Sequence, residues 1–204
     1  MLTKQEIESV FTETGVMKEG HFKLKSGKHS PVYFNAKAIQ QYPMKLNKFI
    51  DAWLEMLKEK VDINKIDRVV GPAEGGIALA YSLAEKIGKD RNRECLMAYT
   101  SKDKETGMMQ LRKNFDLPSN ENIVVVEDVI TTGGSVQQTI DSLSEKNANI
   151  IAVCLMVDRT GGAVKFEGEN IALYTTEAIT YESDNCPLCN QNLPLTAMSN
   201  NAKK

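Results

Sequence analysis

The apolar positions change period along the chain, and each change marks an element. Ile7, Val10 and Phe11 recur at helical spacing behind Thr3 and Glu6, a capping-box pair, so the chain opens with an amphipathic helix. Gly15 and Gly20 close that unit. Residues 21–24 and 32–35 read as two short strands around a hairpin-like loop. Leu46, Phe49, Ile50, Trp53, Leu54 and Leu57 then line one face of a long helix. From Asp67 the rhythm becomes strand–helix–strand. Residues 68–70 form a strand, 71–76 its glycine-rich loop, 77–87 a helix that Gly88 should stop, and 94–99 the next strand. Residues 123–126, 150–157 and 171–174 supply three more strands, with Val136, Ile140 and Leu143 on a helix between the first two. These strands are continuous apolar runs rather than alternating ones, the mark of a parallel sheet covered on both faces. The expected fold is α/β, a central parallel sheet flanked by helices, with a small N-terminal piece over its carboxyl edge.

Two stretches fall outside this rhythm. Residues 100–114 are polar and aperiodic and carry Lys102, Lys104, Arg112 and Lys113. A structureless loop of that length is usually functional. Residues after Ser183 read as a loose, Asn-rich tail.

At 204 residues the chain is expected to be one domain, 1–204, with an N-terminal hood over about 1–42 and a tail over 184–204. A net charge of −2 gives no electrostatic case for nucleic acid or an acidic membrane surface. The N-terminus lacks an apolar signal region and no run is long enough to span a bilayer, so the reading is a soluble cytoplasmic protein. Cys95 and Cys154 sit in apolar runs and read as buried thiols. Cys186-Pro-Leu-Cys189 is a lone C-x-x-C. A closed zinc site needs four ligands, and the chain adds only His21 and His29, far away in sequence, so a reduced structural turn is the default reading.

The chemistry concentrates at residues 127–135. Glu127 and Asp128 follow a strand, where open α/β sheets put their ligands. Thr131, Thr132, Gly133, Gly134 and Ser135 then lead into a helix, and free backbone N–H groups at such a start suit a phosphate. Two carboxylates would repel a bare phosphate, but they can accept hydrogen bonds from ribose hydroxyls while a 5′-phosphate occupies the loop. The alternative, a plain strand–helix connection with solvated acids, explains neither the Gly-Gly pair nor the adjacent acids. No G-x-G-x-x-G is present, and the glycines at 20 and 27 fail the P-loop count.

This stretch resembles the phosphoribosyl-pyrophosphate (PRPP) signature of the type I phosphoribosyltransferases. Across nearly the whole chain the resemblance is to orotate phosphoribosyltransferase. Residues 20–34 are similar to the family's hood, which implies that Lys25, Tyr33 and Phe34 approach orotate and pyrophosphate. Residues 71–77 resemble its pyrophosphate loop, which adds Glu74 and Gly75 to the PRPP contacts, with Glu127, Asp128, Val129, Ile130 and the loop to Ser135. Residues 109–115 resemble the segment closing its mobile catalytic loop, and Val157-Asp-Arg159 the element whose arginine holds the orotate carboxylate, with Thr131 nearby. The C-P-L-C tail is similar to one in a branch of the family. The chain departs from the family in lacking a loop histidine and Arg-Lys pair, leaving that charge to Lys102, Lys104 and Arg112. It also has Gly75 where some members have lysine.

The resemblance implies that orotate and PRPP give orotidine 5′-monophosphate and pyrophosphate, in pyrimidine biosynthesis. It implies Mg²⁺ carried mainly by PRPP, with no dedicated protein cage, and a homodimer whose mobile loop reaches the neighbouring site. Glu127 and Asp128 would steady the ribose as positive charge develops, and the loop cations would meet the leaving group. No Ser-His-Asp or Cys-His arrangement stands out, and positioning with electrostatics suffices for this chemistry. A purine transferase on the same scaffold lacks a use for the hood and Arg159. A nucleic-acid-binding regulator would want a basic surface or an added domain.

Overall fold

The computed structural model describes residues 2–24, 26–177 and 179–197. The first helix, α1 (Lys4–Thr14), has the capping box that Thr3 and Glu6 predict, and Gly15 ends it at φ 73°. Next come β1 (Met17–Lys23) and β2 (His29–Phe34), an antiparallel pair in which Phe22 faces Ser30. Gly20 does not end a unit; it lies inside β1, where the register slips between Glu19 and Phe22. A 3-10 turn over Ala36–Gln41 leads into α2 (Pro43–Lys60), which buries all six of the apolar residues read from its periodicity.

The remainder builds one six-stranded sheet. Its elements are β3 (Arg68–Pro72), α3 (Gly75–Asp90), β4 (Leu96–Lys102), β5 (Met109–Leu111), β6 (Asn122–Ile130), α4 (Gly134–Ser144), β7 (Asn149–Asp158) and β8 (Glu169–Thr175). The spatial order is β5-β4-β3-β6-β7-β8, and every pairing is parallel except β4 with β5. Both faces are covered, as the continuous apolar runs require. Val124 and Val126 face a core shared with α1, α2 and α3, whereas Ile123 and Val125 face one shared with α4. Gly88 does not stop α3, which continues to Asp90. Helical φ and ψ suit glycine too, at a cost near 1 kcal/mol relative to alanine.

Two expectations fail here for physical reasons. Residues 100–114 are not structureless, because β4 and β5 form a hairpin with Thr100 opposite Leu111 and Lys102 opposite Met109. Its tip is a side-chain-stabilised turn in which Asp103 Oδ1 accepts from the N–H groups of Glu105 and Thr106. Nor is the segment from Ser183 to Ala197 loose; the rest of the expected tail, 198–204, lies outside the described residues. The described part forms the short α5 (Pro187–Asn190) and then β9 (Thr196–Ala197), which pairs in parallel with β1. Polar composition concealed both, since much of their order comes from backbone pairing, with Met109 and Cys186 among their few buried side chains. Cys95 and Cys154 are buried as expected, and burial lifts the Cys95 thiol to about 11.

An aromatic cluster docks the N-terminal piece on the sheet. Phe11 stacks on Phe49 at 5.5 Å and meets Tyr174 edge-on at 5.6 Å, while Phe34 lies 6.1 Å from Tyr174. Tyr174 also donates a 2.8 Å hydrogen bond from its hydroxyl to Glu8. Such aromatic pairs contribute about 0.5–1.5 kcal/mol beyond their burial. Among the described residues, no helix is long and apolar enough to cross a membrane.

Candidate active site

The sheet changes winding direction between β3 and β6. From β3 the chain moves outward to β4; from β6 it moves the other way to β7 and β8. Carboxyl ends at such a switch point leave a crevice that open α/β folds use for ligands. The loops after β3, β6 and β7 meet there because those three strands are neighbours.

Strand β6 runs further than its apolar core suggests. It carries Glu127, Asp128, Val129 and Ile130 within the ladder, and Ile130 pairs with Asp158 of β7. Glu127 is buried, with its Oε1 accepting from the Asp128 N–H at 3.0 Å. Asp128 Oδ1 accepts from the Val129 N–H at 2.7 Å. Burial raises both carboxyl pKa values, and repulsion from Asp128 raises Glu127 further, well above the ordinary carboxylate range. Lys37 opposes both shifts. An acidic pair so poorly compensated suits hydroxyl donors or a cation carried by a ligand.

After Ile130 the chain turns through the exposed Thr131 and Thr132 to Gly133, which adopts φ 76° as the N-cap of α4. A Cβ there would also lie 2.8 Å from Phe166 and 2.9 Å from Val164, so glycine is required on two counts. Gly134 and Ser135 open the helix with their N–H groups unbonded by preceding helix carbonyls. The loop borders a hollow of about 70 Å³ lined by Glu127 and residues 129–136. Its shape and donors suit a phosphate.

The loop after β3 closes the other side. A Cβ on Gly71 would lie 2.4 Å from the Gly76 carbonyl oxygen, so strand end and helix start touch backbone to backbone. Gly75 is similarly pressed against the Asp128 carboxylate. Glu74 is exposed and pairs with Lys37 at 3.1 Å. Gln40 Nε2 donates to the Gly75 carbonyl at 2.8 Å. Lys37 and Gln40 were missed by the sequence reading. They lie on a 3-10 turn whose approach to Glu74 and Gly75 depends on tertiary packing; no local signal marks them.

Arg159 follows β7 and donates its backbone N–H to the Ile130 carbonyl at 3.1 Å, which ties it to the start of the 131–135 loop. Its guanidinium carbon lies 5.4 Å from the centre of the Phe34 ring. Nε is buried without a hydrogen-bond partner among the described residues. Burial lowers the guanidinium pKa, and Tyr33 counters part of that shift. Pairing with Asp158 is not what holds Arg159, because Asp158 Oδ1 instead accepts from the backbone and hydroxyl of Thr160, both at 2.7 Å. Tyr33 itself leans on Phe22 at 5.8 Å. The structure therefore brings Tyr33, Phe34 and Arg159 together beside the acidic strand. Lys25 lies outside the described residues.

Lys102, Lys104 and Arg112 stand on the exposed hairpin that extends β4 past the same sheet edge. Among the described residues, neither Lys102 nor Lys104 has an ion-pair partner, and Arg112 reaches only the Ser101 hydroxyl, at 3.3 Å. Within one chain they do not contact the acidic pair.

Comparison with known proteins agrees with this geometry. Residues 37–171 match the phosphoribosyl transferase domain family. An orotate phosphoribosyltransferase of Thermoanaerobacter sp. (strain X514) is 40% identical over 95% of this chain and 96% of its own. Another, from Thermotoga maritima, is 38% identical over 92% and 94% of the two chains. Among solved structures, the orotate phosphoribosyltransferase of Aeropyrum pernix superposes with a TM-score of 0.64 at 24% identity, covering 83% of this chain and 93% of that one. Adenine phosphoribosyltransferase of Saccharomyces cerevisiae gives 0.63 at 21% identity, covering 81% and 99%, so the scaffold alone does not choose the base. With a glycine-bound phosphate loop, an acidic strand end and near-full-length relatives in agreement, the chain belongs to the orotate phosphoribosyltransferase family of type I phosphoribosyltransferases.

Proposed function

We propose that the protein transfers the 5-phosphoribosyl group of PRPP to orotate, releasing pyrophosphate and forming orotidine 5′-monophosphate. The observation that carries the choice of base is Arg159, a half-buried guanidinium whose buried Nε is unpartnered among the described residues and which is set against Phe34. Such a group suits a planar, anionic ring, since a guanidinium grips a carboxylate through paired hydrogen bonds. Near-full-length relatives named orotate phosphoribosyltransferase support the same reading.

Each part of the site then has a task. Backbone N–H groups of residues 131–135 anchor the 5′-phosphate. Glu127 and Asp128 accept from the ribose hydroxyls and stabilise the positive charge that grows on the ring as pyrophosphate leaves. Gly75 leaves room for Asp128 and lets the 71–76 loop approach the pyrophosphate closely. Mg²⁺, carried on PRPP oxygens beside the acidic pair, would supply charge neutralisation for the leaving group. Lys102, Lys104 and Arg112 provide the remaining cations from the hairpin of a second subunit in a homodimer. That reading is supported by their isolation from the acidic pair within one chain. A cytoplasmic setting accords with the four cysteines forming no disulfide.

The test is a panel of bases. The protein is incubated with PRPP and Mg²⁺ plus orotate, uracil, adenine, guanine or hypoxanthine, and pyrophosphate is followed. Release with orotate alone is the expected result; release with a purine would overturn the base assignment.

A further inference from the structure

Four metal-binding side chains from opposite ends of the chain meet on the hood. His21 lies in β1, His29 opens β2, and Cys186 and Cys189 come from the α5 segment. Their ligand atoms all lie within 4.8 Å of one another, and all but Cys189 are buried. His21 and Cys186 are 165 residues apart in sequence, which is why spacing concealed the group.

Four of the six ligand-atom separations match the edges of a coordination tetrahedron. His21 Nε2 lies 3.0 Å from His29 Nδ1, 3.6 Å from Cys186 Sγ and 3.7 Å from Cys189 Sγ. Cys189 Sγ is 3.3 Å from His29 Nδ1. Metal–nitrogen bonds of about 2.0–2.1 Å and metal–sulfur bonds of about 2.3 Å give tetrahedral edges of about 3.3 Å for N–N and about 3.5 Å for N–S. These four edges fall within a few tenths of an ångström of these values.

Hydrogen bonding alone accounts poorly for the arrangement. His21 Nδ1 faces the Leu193 carbonyl at 2.9 Å, and a carbonyl only accepts, so Nδ1 carries the proton. In the neutral ring Nε2 is then a single lone pair, with three groups crowded onto it. One cation would satisfy all of them. The Leu193 contact is also the outer hydrogen bond that commonly fixes the tautomer of a metal-bound histidine.

We propose that His21, His29, Cys186 and Cys189 form a closed Cys₂His₂ zinc site that clasps the C-terminal segment to the N-terminal hairpin. Four protein ligands leave no open position, which makes the site structural rather than catalytic. Two thiolates also balance the charge of a divalent ion in a buried setting. Around it, His29 and Tyr181 exchange backbone hydrogen bonds of 2.9 and 2.8 Å, Ser30 Oγ donates to the Ile179 carbonyl, and β9 pairs with β1. The clasped strand is β2, which runs on to Tyr33 and Phe34. The metal thus fixes the strand that carries the aromatic side of the base pocket. The ligand set stands whether or not the transferase reading does.

The test uses the full-length, tag-free chain, produced in zinc-supplemented medium and analysed by plasma mass spectrometry. About one zinc per chain is expected, as for a single four-ligand site. The Co²⁺-exchanged protein should show thiolate-to-cobalt charge transfer and the intense visible bands of a tetrahedral site. Stripping the metal should lower the melting temperature, and zinc should restore it. In Cys186→Ser/Cys189→Ser the zinc content and the zinc response of the melting temperature should both vanish. If that variant does not fold, the wild-type metal content and cobalt spectrum decide the matter. Wild-type protein without stoichiometric zinc and with the Cys186 and Cys189 thiols titratable would overturn the proposal. So would a Cys186–Cys189 disulfide trapped in freshly lysed cells.

Discussion

Gly75 and Asp128 touch across the switch point of the sheet, and a Cβ on Gly75 would lie 2.3 Å from Asp128 Oδ2. The helix start after β3 and the acidic end of β6 are therefore fitted to each other with no room for a side chain. Gly75→Ala should displace the Asp128 carboxylate, and misplacement on that scale costs about 100-fold in turnover. Steady-state kinetics beside thermal melting would check this. Unchanged kcat/KM for PRPP would mean that Asp128 yields freely and its placement is not critical.

The raised pKa values of Glu127 and Asp128 link stability to pH. Both carboxyl groups have folded pKa values above their unfolded values, about 4.3 and 3.9. The folded state thus holds protons more tightly. Its advantage is full below the unfolded values and is lost as pH rises through the folded ones. The ligand-free protein should lose stability as pH climbs from about 4 through the raised pKa values, apart from titration elsewhere. Asp128→Asn should flatten this dependence while sharply reducing turnover. Denaturant melts of both proteins across pH give the comparison; identical pH profiles would show that the acids do not strain each other.

Arg159 should discriminate orotate from uracil. Arg159→Ala should weaken orotate use by about 2–4 kcal/mol, the range for stranding one member of a charged pair. PRPP binding should change little, and Arg159→Lys should recover only part of the loss because the paired geometry is absent. Separate KM values for the two substrates provide the measurement. Equal losses for both would remove Arg159 from the base pocket.

The hairpin cations should act in trans. One variant carries Lys102, Lys104 and Arg112 changed to Ala, and a second carries Asp128→Asn. Each alone should be nearly inactive. Co-refolding at equal amounts makes about half the dimers mixed, each with one intact site of two. Activity should then return to about a quarter of wild type in a two-fold assembly. Confirmed mixed dimers without recovered activity would place the cations in their own subunit's site, or outside any site.

Local pattern was enough to identify most of the fold. Helical periodicity gave α2 with its buried face, the Thr3–Glu6 pair gave the start of α1, and continuous β-branched runs gave strands sandwiched between helices. The geometry of the 127–135 segment was also legible, because its requirements are local: a strand end, two acids, glycines that the turn demands and a helix start. The position of Arg159 just past a strand end was legible too. Its isolation from Asp158, and its seat on Phe34, were not.

What only the tertiary structure decided depends on contacts between distant segments. The sheet order put the ends of β3, β6 and β7 together and made Gly75 the neighbour of Asp128. Packing brought Lys37 and Gln40 to the rim of the site from a turn with no motif of its own. Backbone pairing ordered the 100–114 hairpin and the C-terminal segment, whose polar composition reads as loop because hydrogen-bond ladders leave little trace in hydrophobicity. The two histidines and two cysteines show the same limit most sharply. Each has an ordinary local context, and they become a set of four only when β9 lies beside β1 and brings the end of the chain back to its beginning.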